Sequence, residues 1–179
     1  MSAIRIVLLA TTLSAILLCT GPTGAQSLPE PVARDQMGLT PRGEAAMRFW
    51  GLKVYDIRLW TAMKPYSPDE AFALELVYDI SLKGRDIAER SIDLMREQGA
   101  RDEAKLTRWL DHMARIFPDV KKGDTLIGVF VPTKEVRFYT REKLIAAVPD
   151  AEFARAFFDI WLSEKTTEPK LRLRLLGAQ

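Results

Sequence analysis

The apolar residues of this chain change their period twice between residues 71 and 140, and few folds accommodate that order. Over 71–80, Phe72, Leu74, Leu76, Tyr78 and Ile80 alternate against Ala71, Ala73, Glu75, Val77 and Asp79, the two-residue period of a strand. From Gly84 to Gln98 the repeat lengthens, so that Ile87, Ser91, Leu94 and Met95 share one side of an amphipathic helix that Gly99 stops. Asp102 caps a second helix with Leu106, Trp109, Leu110, Met113 and Phe117 on its stripe, ended by Pro118. Thr125 to Val131 and Glu135 to Thr140 are strands again, joined by Pro132-Thr133-Lys134 as an antiparallel hairpin. Upstream, Ala45 to Thr61 is rich in aromatic and β-branched residues and reads as one long strand or two short ones broken near Gly51. Downstream, Asp150 opens a helix whose Phe153, Phe157, Ile160 and Trp161 face inward. Glu168-Pro169 marks the start of a last helix, although Leu171, Leu173 and Leu175 alternate and leave a strand open there. Strands that bracket helices in this way argue for an α+β fold, an antiparallel sheet with a layer of helices on one face.

The first 25 residues read as a cleavable signal peptide. Arg5 supplies the positive start, residues 6–18 are an apolar run, and Thr23-Gly24-Ala25 sets small residues before a cut ahead of Gln26. The run is shorter than the roughly 20 residues of a spanning helix, and Leu17-Leu18 before Cys19 is a poor setting for a lipid-anchored cysteine. The address is therefore export, to the periplasm, with no stable membrane span after cleavage. Residues 26–41 are proline-rich and show no period, which predicts an extended leader, and residues 42–179 form one domain. Composition then removes whole classes of function. With 26 Lys and Arg against 24 Asp and Glu and a net charge of +2, there is no basic footprint for nucleic acid. One cysteine and one histidine (His112) exclude disulfide frameworks, Cys/His zinc sites and Cys–His catalysis. No nucleophile elbow, phosphate loop or dinucleotide fingerprint is present, and no cofactor is implied.

Four segments carry a family resemblance: GLKVYDIRLW at 51–60, SLKGRDIAER at 81–90, the stretch 118–128, and ARAFFDIWL at 154–162 followed by Thr167-Glu168-Pro169. Taken in order, they resemble the chalcone isomerase superfamily, in its bacterial exported branch. The resemblance implies an open-faced β-sandwich, a large antiparallel sheet holding a layer of helices with a cleft between them. It also implies a choice of function, since the family contains true isomerases and non-catalytic members that bind fatty acids in that cleft. In the isomerases, the segment resembling 84–90 carries a Tyr where this chain has Ile87, and an Asn seven residues later where this chain has Leu94. Neither side chain can donate a hydrogen bond. Losing two such donors removes transition-state stabilisation of roughly 3–4 kcal/mol each, so chalcone isomerisation is not expected. Ile87 and Leu94 instead extend an apolar helix face.

By the same resemblance, the fatty-acid-binding members hold the carboxylate with an Arg and a Tyr, and the matching Tyr is Tyr55. The Arg is open among Arg48, Arg58 and Arg42. Arg48 reaches the Tyr55 face only if a bulge at Gly51 intervenes, whereas Arg58 shares the Arg48 face of a regular strand. Tyr78 is a second candidate for the ligand site. Trp50, Trp60, Trp109 and Trp161 are candidates for a cleft lining, although core packing is the commoner use of such residues. His112 and the pairs Asp86/Glu89 and Asp102/Glu103 read as surface groups. Burying ten methylenes of an acyl tail contributes roughly 8 kcal/mol, against about 1.5–3 for an Arg–carboxylate bond, so the tail would supply affinity and the Arg orientation. The sequence thus points to a non-catalytic protein that binds a small apolar or amphipathic ligand such as a fatty acid. Its rivals are an isomerase or lyase using Arg48 or Arg58 with Tyr55, and an interaction domain whose cleft is filled by its own aromatic residues.

Overall fold

Six antiparallel strands, each hydrogen-bonded to the next in sequence, form the sheet on which everything else rests. The computed structural model describes residues 27–36, 38–62 and 65–178, so the signal-peptide reading and Cys19 lie outside the described residues. The strands are β1 (Thr40–Phe49), β2 (Leu52–Thr61), β3 (Phe72–Tyr78), β4 (Thr125–Val131), β5 (Glu135–Thr140) and β6 (Leu144–Val148). Between β3 and β4 the chain makes α2 (Gly84–Glu97) and α3 (Glu103–Ile116), and after β6 it makes α4 (Ala151–Leu162) and α5 (Pro169–Leu175). The architecture is the expected α+β one, with α2, α3 and α4 layered on one face of the sheet.

Alternation sorts the two faces. Leu59, Phe72, Leu74, Leu76, Phe130 and Phe138 point to the helices and meet Phe153, Phe157 and Phe158 of α4. Aromatic rings do much of this packing: Phe72 stacks on Phe130 at 4.9 Å and meets Phe158 edge-on at 4.9 Å. The helix starts are capped as the sequence implies. Asp102 accepts from the Lys105 amide at 3.0 Å, and Asp150 accepts from the amides of Glu152 and Phe153. The last Leu-rich stretch is helix α5 and not a strand, because Leu171 and Leu175, four residues apart, are buried while Leu173 faces solvent.

Three features depart from the sequence reading. The segment expected as an extended leader contains a helix, α1 (Glu30–Asp35). Its hidden signal is a single apolar pair, Leu28 and Val32, which packs on the outer sheet face with Trp60, Ile127 and Tyr139. The Tyr139 hydroxyl fastens it by donating to Asp35 at 2.6 Å. The second departure is β6, whose five residues have a short, half-exposed pattern that carries little periodicity. The third is one of length: the strands do break at Trp50-Gly51, as one of the two sequence readings has it, but they are ten residues each and begin at Thr40, making a tight hairpin over Thr40–Thr61.

That turn is strained. Trp50 has φ +50° and Gly51 φ +82°, the two positive values of a two-residue hairpin turn that Asn-Gly serves best. A tryptophan in the left-handed region is penalised, and a side chain 93% exposed recovers little by packing. Trp50→Asn should therefore stabilise the fold by about 1 kcal/mol, or about 2–4 °C in Tm. Differential scanning calorimetry of the variant checks this, and an unchanged or lower Tm would refute it.

Candidate functional site

The cleft exists because α2 is held off the sheet. Its first residue, Gly84, lies so close to the end of α3 that an added Cβ would stand 2.0 Å from the Phe117 carbonyl oxygen. Asp119 completes the seat by accepting from the Gly84 amide at 3.0 Å and from Lys83 Nζ at 2.8 Å. A short bridge between Leu82 and Val120 ties the entry of α2 to the segment leaving α3. Seated in this way, α2 packs on α3 and α4 and leaves a gap above the inner sheet face.

The gap is a cavity of about 350 Å³, inside the range of small-molecule sites. Its roof is Ile87, Ser91 and Leu94 of α2, its side wall Phe157 and Trp161 of α4, and its floor Tyr55, Leu74, Leu76, Tyr78, Leu126 and Phe138 of the sheet. Gly128 lies in this floor, where a Cβ would press on Phe158 at 3.2 Å. Ile87 and Leu94 thus do face the cleft, and both contribute hydrocarbon to it. The two charged lining residues, Asp86 and Arg90, are exposed and stand at the mouth. A larger polar recess, about 520 Å³, lies on the outer face among Glu44, Arg58, Glu75 and Arg174. There the Arg58 guanidinium is already paired with both Glu44 and Glu75, so the apolar cleft is the better candidate.

Within the cleft the polar chemistry belongs to two phenols. The Tyr55 hydroxyl accepts a hydrogen bond from Trp161 Nε1 at 2.9 Å, which leaves its own proton free to donate. Its ring meets that of Tyr78 edge-on at 5.8 Å. Burial pushes the Tyr55 phenol up to about 12, and burial followed by the neighbouring Tyr55 raises Tyr78 further. Both are neutral donors at any physiological pH, not phenolates. Ser91 is occupied locally, its hydroxyl donating to the Ile87 carbonyl at 2.8 Å. Among the described residues no group of three or more His, Cys, Asp or Glu side chains is placed to hold a metal ion.

Of the residues singled out from sequence, Tyr55 and Tyr78 come together in the cleft, whereas Arg48 and Arg58 do not line it. The ladder irregularity near the hairpin falls between Met47 and Arg48 and leaves Val54 unpaired, so Val54 joins the cavity wall while Arg48 stays outside. Arg58 sits on the opposite sheet face, bonded to Glu44 at 2.9 Å and to buried Glu75 at 3.2 Å, with Trp60 beneath it. Arg42 lies against Gly177 just past α5. Neither Arg48 nor Arg58 is therefore beside Tyr55, as the enzyme reading needs, and the cavity is not closed by aromatic side chains, as the filled-core reading needs. Among the tryptophans only Trp161 lines the cleft, since Trp60 is on the outer face and Trp109 donates to Asp150 at 3.0 Å. Sequence reading missed Arg90, although its position three residues after Ile87 places it beside the apolar stripe of α2. Asp86, read as plain surface charge, shares the mouth with it, while Glu89 and Glu103 pair with Arg85 and Arg96 and His112 is exposed.

Sheet and helix layer thus define an α+β open-faced sandwich with an apolar cleft between the two. The chain belongs to the chalcone isomerase-like family, whose model matches residues 26–177. It is 29% identical over 140 residues to an uncharacterised protein of Haemophilus influenzae, covering 76% of this chain and 67% of that one. Among solved structures, it is similar to a fatty-acid binding protein of Arabidopsis thaliana, with a TM-score of 0.61 and 11% sequence identity. That superposition covers 79% of this chain and 88% of the plant protein, and at this identity it shows the shared fold alone.

Two measurements test these assignments. Arg58→Ala should cost about 3 kcal/mol, because it strips a buried carboxylate of its main partner, while leaving the cleft intact. Urea unfolding reads the loss, and a change below about 1 kcal/mol would show that Glu75 does not depend on Arg58. The tyrosines give a pH test. All four are raised, Tyr66 and Tyr139 also to about 12 and mainly by burial, so the folded chain keeps phenol protons that the unfolded chain releases near pH 10. Stability present below pH 10 should fall as the pH rises towards 12, and more gently in Tyr55→Phe. Ultraviolet titration showing tyrosinate at pH 10 in the folded protein would contradict this.

Proposed function

We propose that this is an exported, non-catalytic chalcone isomerase-fold protein that holds a small apolar or amphipathic ligand, of the fatty-acid class, in the cleft between α2, α4 and the sheet. The observation that carries the reading is the division of chemistry in that cleft. Hydrocarbon makes up most of its wall, neutral phenol donors stand at one side, and an arginine stands at the mouth. An acyl chain matches this division: the tail lies against Ile87, Leu94, Leu76 and Phe157, and the head group turns to the Tyr55 hydroxyl or to Arg90. Arg90 is held at 3.1 Å by Glu97 near the exposed end of α2, so a carboxylate at the mouth would compete with Glu97 for it. The fold shared with a fatty-acid binding protein supports the same ligand class. Export rests on residues 1–25, with their positive start, apolar run and small residues before Gln26. Among the described residues no helix is long and apolar enough to cross a membrane.

The test is native mass spectrometry of protein recovered from the periplasm, followed by denaturing extraction to identify what is released. A stoichiometric acyl chain on a polypeptide beginning at Gln26 is the expected result. Arg90→Ala and Tyr55→Phe should each weaken fatty-acid binding about tenfold, in line with the loss of one charge-assisted or phenol hydrogen bond. Ile87→Asp should abolish it by placing a carboxylate among the methylenes. A bare protein that also takes up no added fatty acid would overturn the ligand reading, and one retained in the cytoplasm would overturn export.

A further inference from the structure

The end of the β1–β2 hairpin places three large apolar side chains in water within four residues: Phe49 (62% exposed), Trp50 (93%) and Leu52 (59%). The other exposed large hydrophobic residues among those described, Leu144 and Leu173, stand singly on β6 and α5. Isolated exposed apolar residues are ordinary, but a cluster on a turn is not. The backbone sharpens the point. Trp50 keeps a positive φ that disfavours it, with little packing beyond an edge-on contact with Phe49 at 6.4 Å, so folding gives no reason for a tryptophan there.

Charge narrows what could cover the cluster. Residues 48–53 contain two cations, Arg48 and Lys53, and no carboxylate. Arg48 is exposed and donates to the Gly51 carbonyl at 3.3 Å, which holds its guanidinium at the turn, while Lys53 is bonded to Asp56 at 2.8 Å. Tryptophan beside Phe and Leu, with the exposed Arg48 guanidinium at the same turn, is the chemistry of a bilayer interface. The indole sits at head-group level, the apolar neighbours reach the acyl boundary and Arg48 meets lipid phosphates. Position supplies the purpose, because Phe49 and Val54 also line the cleft and the turn is continuous with its wall.

We propose that the Phe49-Trp50-Gly51-Leu52 turn inserts into the head-group region of an anionic bilayer, so that the cleft opens onto lipid and exchanges its ligand there. The exchange step rests on the acyl-ligand reading; the docking step does not. Three side chains make a reversible foothold and not an anchor, as repeated visits to a membrane require.

The experiment compares the wild-type protein with Trp50→Asn and Leu52→Ser, all expressed from the full chain and recovered in the same way, so that residues 1–25 are present or removed alike. Neither residue lines the cleft. Co-sedimentation is measured with vesicles of phosphatidylcholine, with and without phosphatidylglycerol. Vesicle binding should favour the anionic lipid, weaken with salt and fall about tenfold in each variant. Brominated lipids should quench a component of tryptophan emission that is missing from Trp50→Asn, since Trp60 and Trp109 are buried and Trp161 is inside the cleft wall. Uptake of a fatty acid from solution should be unchanged in both variants, while its transfer from donor vesicles slows about tenfold. Equal vesicle binding by wild type and variants overturns the proposal. So does a wild-type dimer in sedimentation velocity that Trp50→Asn dissolves without any vesicle binding, because a second copy would then be the occupant. Absence of fatty-acid uptake by the wild type refutes the ligand reading, and vesicle binding still judges the docking by itself.

Discussion

Everything distinctive about this molecule depends on how α2 meets the end of α3. Gly84 allows the helix to start against the Phe117 carbonyl, at a distance no side chain would permit, and Asp119 caps the amide that this close approach exposes. A helix pinned at that point by its neighbours does not settle onto the sheet. Ile87 and Leu94 of its apolar stripe line the space above the sheet, while Ala88, Ile92 and Met95 are buried in the core. The cleft follows from a steric allowance at one glycine, and the hydrocarbon of Ile87 and Leu94 then determines what that space can hold.

The sheet separates two chemistries by its two-residue period. On its inner face, aromatic and aliphatic side chains meet the helices and surround the cleft. On its outer face, the same strands carry Arg58 and Glu75 side by side, a buried carboxylate paired with a partly exposed guanidinium and supported by the Trp60 indole donating to Glu75 at 3.2 Å. Burying the Glu75 carboxylate is costly, and removing its guanidinium partner is more costly still. Val32 of helix α1 and Leu28 just before it cover an adjoining patch of that outer face. Arg58, three positions along β2 from cleft-lining Tyr55, is thereby committed to the opposite face of the sheet, and the cation at the cleft is Arg90 of a helix.

The legibility of each element followed the strength of its local pattern. β3, α2, α3, β4, β5 and α4 were readable because each has a clear period or a capping residue at its start. β6 and α1 were not, since five half-exposed residues or one apolar pair carry almost no periodic signal. In the cleft, Tyr55, Tyr78 and Trp161 were within reach of sequence reasoning, whereas the choice among arginines was not. That choice depended on which residue of the β1–β2 ladder goes unpaired, and the structure leaves out Val54 where a bulge at Gly51 would have turned Arg48 inward.

By itself, then, the sequence determined the element types, the layering of helices on an antiparallel sheet, the apolar character of the α2 face and the absence of donors at Ile87 and Leu94. These are local properties, since periodicity and side-chain chemistry need no knowledge of distant residues. Only the tertiary structure decided that a cleft stays open, that Arg90 and not Arg48 or Arg58 stands at its mouth, and that the hairpin turn is joined to its wall. Those outcomes depend on contacts between segments far apart in the chain, on a strand register and on a helix seat. A one-residue change of register sends a side chain to the other face of the sheet, and no local pattern records which register the packed core selects.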